Sequence, residues 1–207
     1  MRRVAGVVTP DDALIERCRA GEQAAFEEMV AIYHRRVWSI AYQMSGDPDD
    51  ADDITQETFV RVYRAIGKFR ERSSFTTWLH RITLNLCTDF LRRRRRHYDT
   101  ISLDLVDAEG CGEVRQTPVA AGSPAGTHNP SASPLREAET AELRAKLREA
   151  ILSLPEHYRA VIVLRDIEGM SYREIASVLA CPEGTVMSRL FYAKRALREK
   201  LRGYVEE

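Results

Sequence analysis

Four cysteines in 207 residues are too few and too scattered to staple this chain. Cys18, Cys87, Cys111 and Cys181 form no CxxC pair. His34, His80, His97, His128 and His157 add no metal-ligand spacing, which argues against a zinc site and leaves no cofactor to expect. The chain also lacks an apolar run long enough for a secretory leader or a membrane span, so a cytoplasmic location with reduced thiols is expected. It has no nucleophile motif and no phosphate-cradling glycine loop, which disfavours an enzyme. Net charge is absent too: 31 basic side chains balance 31 acidic ones, unlike a protein that merely coats polyanions. Alternating strand patterns and internal repeats are missing as well.

What is present is helical periodicity, in two blocks. Phe26, Met29, Val30, Tyr33, Val37, Ile40, Ala41 and Met44 recur at spacings of three and four, the mark of one long helix with a buried face. Asp47 followed by Pro48 predicts a capped start to the next helix, which buries Ile54, Thr58 or Phe59, Val62 and Ile66 and closes at Gly67. Ser73 or Ser74 caps a third, with Phe75, Trp78, Leu79, Ile82, Leu86 and Phe90 on its apolar side. Four glycines and four prolines then crowd into residues 97–134, which reads as a flexible linker. Beyond it, Leu135 to Leu152 forms a helix with Leu143, Leu147, Ala150 and Ile151 inward, and Pro155 ends it. His157 to Glu168 forms a very apolar second helix closed by Gly169. Ser171 and Glu174 have capping-box spacing, and Pro182 opens the last helix. The expected fold is all-α: two small helical domains, 12–96 and 135–207, on a flexible 97–134 linker.

Charge is polarised along this framework. Asp47, Asp49, Asp50, Asp52, Asp53 and Glu57 crowd one helix start without a base between them. Acids in a first turn suit the helix dipole, but six exceed what a cap needs, so this surface is expected to meet a basic protein. Between His80 and His97 six arginines face a single aspartate, and between Glu183 and Arg202 six bases face two acids; both stretches suit a polyanion.

Two segments sharpen that expectation. Residues Ser171 to Arg195 read as a helix, a tight turn at Ala180-Cys181 and a basic second helix, the layout of a helix-turn-helix that enters the major groove. Ile175, Leu179, Val186 and Leu190 pack between the two helices, leaving Thr185, Met187, Ser188, Arg189, Phe191, Tyr192, Lys194 and Arg195 divided between groove and core. Upstream, Phe75 and Trp78 share a helix with the run Arg92 to Arg96. Aromatics beside dense positive charge suit unstacked, single-stranded DNA. Taken singly, the aromatics are ordinary core residues and the arginines an ordinary solvated helix end. A duplex reader and a single-strand reader in one chain point to promoter recognition coupled to DNA opening.

These segments together resemble the sigma-70 superfamily, in its extracytoplasmic-function (ECF, group 4) subgroup. Asp50-Ala51-Asp52-Asp53-Ile54-Thr55-Gln56-Glu57-Thr58-Phe59-Val60-Arg61-Val62-Tyr63 is similar to region 2.2 of that family. The resemblance implies docking on the beta-prime clamp of core RNA polymerase through Asp50, Asp52, Asp53, Gln56, Glu57 and Phe59. The stretch Ser73 to Asn85 resembles regions 2.3 and 2.4, which melt the −10 element. It implies single-strand contacts by Phe75, Trp78, Arg81, Asn85, Arg92, Arg93 and Arg94, and base capture involving the Phe69–Ser74 loop. Leu152 to Glu168 resembles region 4.1, which implies the polymerase beta flap. Ser171 to Arg195 resembles region 4.2, the duplex reader of the −35 element. Met187 and Tyr192 depart from the lysine or arginine common in this helix and cannot form the bidentate guanine contact of arginine, so a different −35 sequence is expected. The family also implies an anti-sigma factor as partner. Two other readings are a stand-alone helix-turn-helix regulator, for which no dimerisation helix is evident, and a sigma mimic that only titrates an anti-sigma factor.

Overall fold

The computed structural model describes residues 12–69, 74–106 and 134–202, with side chains at 12–69, 74–96 and 142–202. Among them every regular element is helical. The helices are α1 (Asp12–Arg19), α2 (Gln23–Ser45), α3 (Pro48–Ala65), α4 (Phe75–Val106), α5 (Pro134–Leu152), α6 (Glu156–Ile162), α7 (Tyr172–Leu179) and α8 (Glu183–Lys200). A 3-10 turn at Ile66–Lys68 follows α3, and a wide π turn at Val163–Ile167 follows α6. No helix among the described residues is long and apolar enough to cross a membrane.

Local chemistry explains most boundaries. The Asp47 carboxylate accepts from the backbone N–H of Asp49 and Asp50, at 2.9 and 3.1 Å, and Pro48 needs no partner for the N–H it lacks. Ser74 accepts from the N–H of Thr77 at 3.2 Å to start α4. Ser171 and Glu174 form the full reciprocal capping box of α7. Gly46 closes α2 at φ 82°, a backbone shape that glycine takes without strain. Ala180 ends α7 in the same left-handed region at φ 49° with a Cβ in place, at a cost of about 1 kcal/mol. Gly67 lies inside the 3-10 turn, so α3 stops before it, at Ala65. The expected end at residue 96 is also exceeded: α4 continues to Val106, well into the stretch that composition marks as linker. Residues 107–133, with Cys111, lie outside the described residues.

Packing sets two layers of core. α2, α3 and α4 pack against one another with α1 along one end, burying Met29, Tyr33, Phe59, Phe69, Phe75 and Leu79. A second cluster begins with Ile40, Met44, Ile54, Leu84 and Cys87 of those same helices. It continues without a break into Ile151, Leu154, Val161, Leu164, Ile175 and Val186 of α5 to α8. The two helical domains therefore lie against each other, chiefly through α4 on α7 and α2 on α5 and α6. Leu143 and Leu147, expected inward, are exposed, because only the C-terminal turn of α5 (Ala150, Ile151) reaches the core.

Candidate nucleic-acid interface

Three surfaces carry the charge pattern. On α3, Asp52, Asp53, Gln56 and Glu57 are exposed at helical spacing and form one stripe. Its acids are held differently. The Trp38 indole N–H donates to Asp52 at 2.6 Å, and Arg61 pairs with Glu57 at 2.9 Å. Asp50 is half-buried and paired with Arg94 at 2.6 Å; burial raises its carboxyl above the ordinary value, and Arg94 opposes the shift. Phe59, expected on this surface, is buried and stacks against His34, because its position falls on the core side of α3. The stripe instead continues into Val60 and Tyr63, 41% and 60% exposed, which sequence reasoning missed. Their spacing from Gln56 is the signal that could have found them.

On α4, Arg81, Asn85, Thr88 and Arg92 recur at i, i+4, i+7 and i+11, so one face presents two guanidiniums flanking an amide. Phe75 is not on that face. It is buried against Phe69, Trp78 and Tyr33, and only Trp78 of the aromatic pair stays partly exposed. The arginine run is divided: Arg94 turns to Asp50, Arg95 reaches Glu156 at 3.5 Å, and Arg92 and Arg93 are exposed. Residues 70–73 of the loop before α4 lie outside the described residues.

On α8, Val186, Leu190 and Ala193 are buried under α6 and α7, which pushes Met187, Ser188, Phe191, Tyr192 and Arg195 outward. Thr185 and Arg189 are half-buried, and the Ser188 hydroxyl donates to the Thr185 carbonyl at 3.1 Å. Lys194 pairs with Asp166 at 3.0 Å, and Arg195 with Glu199 at 3.1 Å. The face is thus apolar at its middle and basic at its edge. Such a surface can contact thymine methyls and phosphates but offers few bidentate donors for guanine.

Comparison with known proteins gives this arrangement its context. The sigma-70 region 2 family matches residues 29–97, and the sigma-70 region 4 family matches residues 144–197. The RNA polymerase sigma-H factor of Pseudomonas aeruginosa is 34% identical over 200 residues, covering 95% of this chain and 96% of that one. The chain belongs to the ECF branch of the sigma-70 family. It is an alternative sigma factor, a transcription initiation factor. The ECF RNA polymerase sigma-E factor of Escherichia coli is 37% identical over 196 residues, covering 92% of this chain and 94% of that one. Among solved structures, CnrH in complex with the cytosolic domain of CnrY superposes with TM-score 0.63 at 25% identity, covering 94% of this chain and 98% of that one. The sigma factor RpoE of Bartonella quintana, in complex with the anti-sigma factor NepR, shares the fold with TM-score 0.62 at 23% identity, over 86% of this chain and 96% of that one.

Proposed function

We propose that this ECF sigma factor works in the cytoplasm, as an initiation factor and not an enzyme, through three surfaces with separate tasks. Asp52, Asp53, Gln56 and Glu57, extended by Val60 and Tyr63, dock on the beta-prime clamp of core RNA polymerase, while the segment from Leu152 to Glu168, with α6 and the π turn, meets the beta flap. Asp53 and Gln56 are the strongest contributors, because they are exposed and, unlike Asp52 and Glu57, make no side-chain bond among the described residues. The α4 face of Arg81, Asn85 and Arg92 takes the non-template strand at the −10 element, with Trp78 as the wedge beside it. The α8 face of Met187, Ser188, Phe191, Tyr192 and Arg195 reads the −35 duplex. An anti-sigma factor, as in the solved RpoE–NepR complex, is the expected inhibitor.

The observation that supports this reading best is the separation of unlike surfaces on one three-helix body: acids on α3, guanidiniums and an amide on α4. An operator-binding regulator has no use for the acidic stripe. The test is run-off transcription with core polymerase on the gene's own upstream region. Wild-type protein is expected to select a start site. Asp53→Ala with Gln56→Ala is expected to weaken polymerase capture about tenfold while melting unchanged. Specific binding to that duplex without polymerase, or capture unaffected by the double substitution, would overturn the assignment.

A further inference from the structure

α8 turns one stripe away from the core. Gly184, Met187, Ser188, Phe191, Tyr192 and Arg195 follow helical spacing and are all exposed, while Val186, Leu190 and Ala193 are buried behind them. The middle of the stripe is apolar. Met187 is 50% exposed, Phe191 65% and Tyr192 52%, and the two rings meet edge to face at 5.5 Å. Three large apolar side chains side by side in water are a contact surface, not a chance exposure.

The same stripe is poor in the donors that read guanine. Arginine reads that base with two parallel N–H groups, and lysine with its ammonium. Before Arg195 the stripe has neither. Arg189 stands off it: half-buried, three residues from Val186 and four from Ala193, it belongs to the core-side edge of the helix. The Ser188 hydroxyl donates to the Thr185 carbonyl at 3.1 Å, so its proton is turned to the helix and not to a base edge. Positive charge gathers instead in the later turns, on Lys194, Arg195 and Arg198. Lys194 pairs with Asp166 and Arg195 with Glu199, both as exposed pairs that bind weakly enough to exchange for phosphate. An apolar patch with bases beside it complements a DNA groove, whose walls are phosphates.

Thymine offers an apolar group in the major groove, its C5-methyl, and side chains such as phenylalanine meet it. Phe191 lies four residues beyond Met187, about 6 Å along the axis at about 1.5 Å per residue. Successive bases on one strand are about 3.4 Å apart, so the patch spans about two steps.

We infer that α8 selects its duplex by methyl contact: Met187, Phe191 and Tyr192 close on the C5-methyls of neighbouring thymines in the −35 element, in place of hydrogen bonds to guanine. This rests on the assignment of α8 to the −35 duplex. The bases of the later turns hold phosphates, which fix position and carry no sequence.

The test uses the full chain with core polymerase on the gene's own upstream region. Footprinting locates the duplex block protected upstream of the melted segment. A second copy of the promoter carries deoxyuridine for thymine in that block alone, which removes methyls and keeps every hydrogen-bonding group. Affinity should fall about fourfold for one contacted methyl and about fifteenfold for two. Phe191→Ala, at an exposed position, should lose a similar factor on the thymine promoter and pay a smaller uracil penalty than wild type. Met187→Arg with Tyr192→Arg should favour a block with guanine at the most sensitive thymine, its affinity relative to the native block rising about tenfold. That ratio cancels the added positive charge. Protection indifferent to uracil, or equal uracil penalties in wild type and Phe191→Ala, overturns the methyl readout and leaves α8 on the duplex. Unchanged promoter affinity in Phe191→Ala overturns it too, and hands the patch to a protein partner. A complex that starts transcription without protecting any upstream block sinks the assignment of α8 to duplex DNA, and the methyl readout with it.

Discussion

The aromatic end of the first domain and the aliphatic core of the second are built on different terms. Tyr33, Phe59, Phe69, Phe75 and Trp78 pack among themselves and with α1, and among the described residues nothing from α5 to α8 joins them. Val161, Leu164, Ile175, Val178 and Val186 form a smaller core that opens directly onto Ile40, Met44, Leu84 and Cys87 of the first domain. A large aromatic cluster buries enough area to close over itself. A short domain of four helices, one of them eight residues and another seven, has too little apolar surface to do so and borrows a neighbour. Independence of the two domains is thus a question of core size as well as of linker length.

The largest test of that contrast is a pair of core truncations. Phe75→Ala should cost about 4 kcal/mol and Leu164→Ala about 3 kcal/mol. Hydrogen exchange should then separate them. Phe75→Ala should leave protection of the Ile175 and Val186 amides intact, whereas Leu164→Ala should lower protection at Leu84 and Cys87 across the domain boundary. Equal spread of both effects would break the comparison. A smaller effect is expected at the cap of α3: Asp47→Ala removes the carboxylate that accepts from two backbone N–H groups and should cost about 1 kcal/mol, read by thermal melting. The smallest is at Leu147, which is 41% exposed: Leu147→Ala should change stability by no more than about 0.5 kcal/mol. A loss of several times that would place Leu147 in the core after all.

Much of the fold was legible in the chain because it is local. Asp47-Pro48, Ser74 and Ser171-Glu174 satisfy backbone groups within three residues, so their effect does not depend on what packs elsewhere. The face of α2 from Met29 to Met44 follows from helical spacing alone. The misreadings share the opposite cause. Leu143 and Leu147 have core spacing but point past the end of the packed region. Phe59 sits among acids in the sequence yet turns inward on His34, while Val60 and Tyr63, one and four residues on, take the surface. A residue's type and spacing select its side of a helix; they do not say whether another helix will be there.

The same division runs through the whole protein. Periodicity, caps and charge blocks determined that this chain is α-helical, where its helices begin, and which stretches are acidic or basic, because each depends on contacts a few residues apart. Only the tertiary structure decided that Arg159 reaches Met44 across 115 positions and that His80 meets Met170 across 90. It alone set Arg81, Asn85 and Arg92 of α4 and Arg189 of α8 around one cavity. Such contacts arise when helix ends and half-covered cores find one another in space, and no spacing along the chain encodes that meeting.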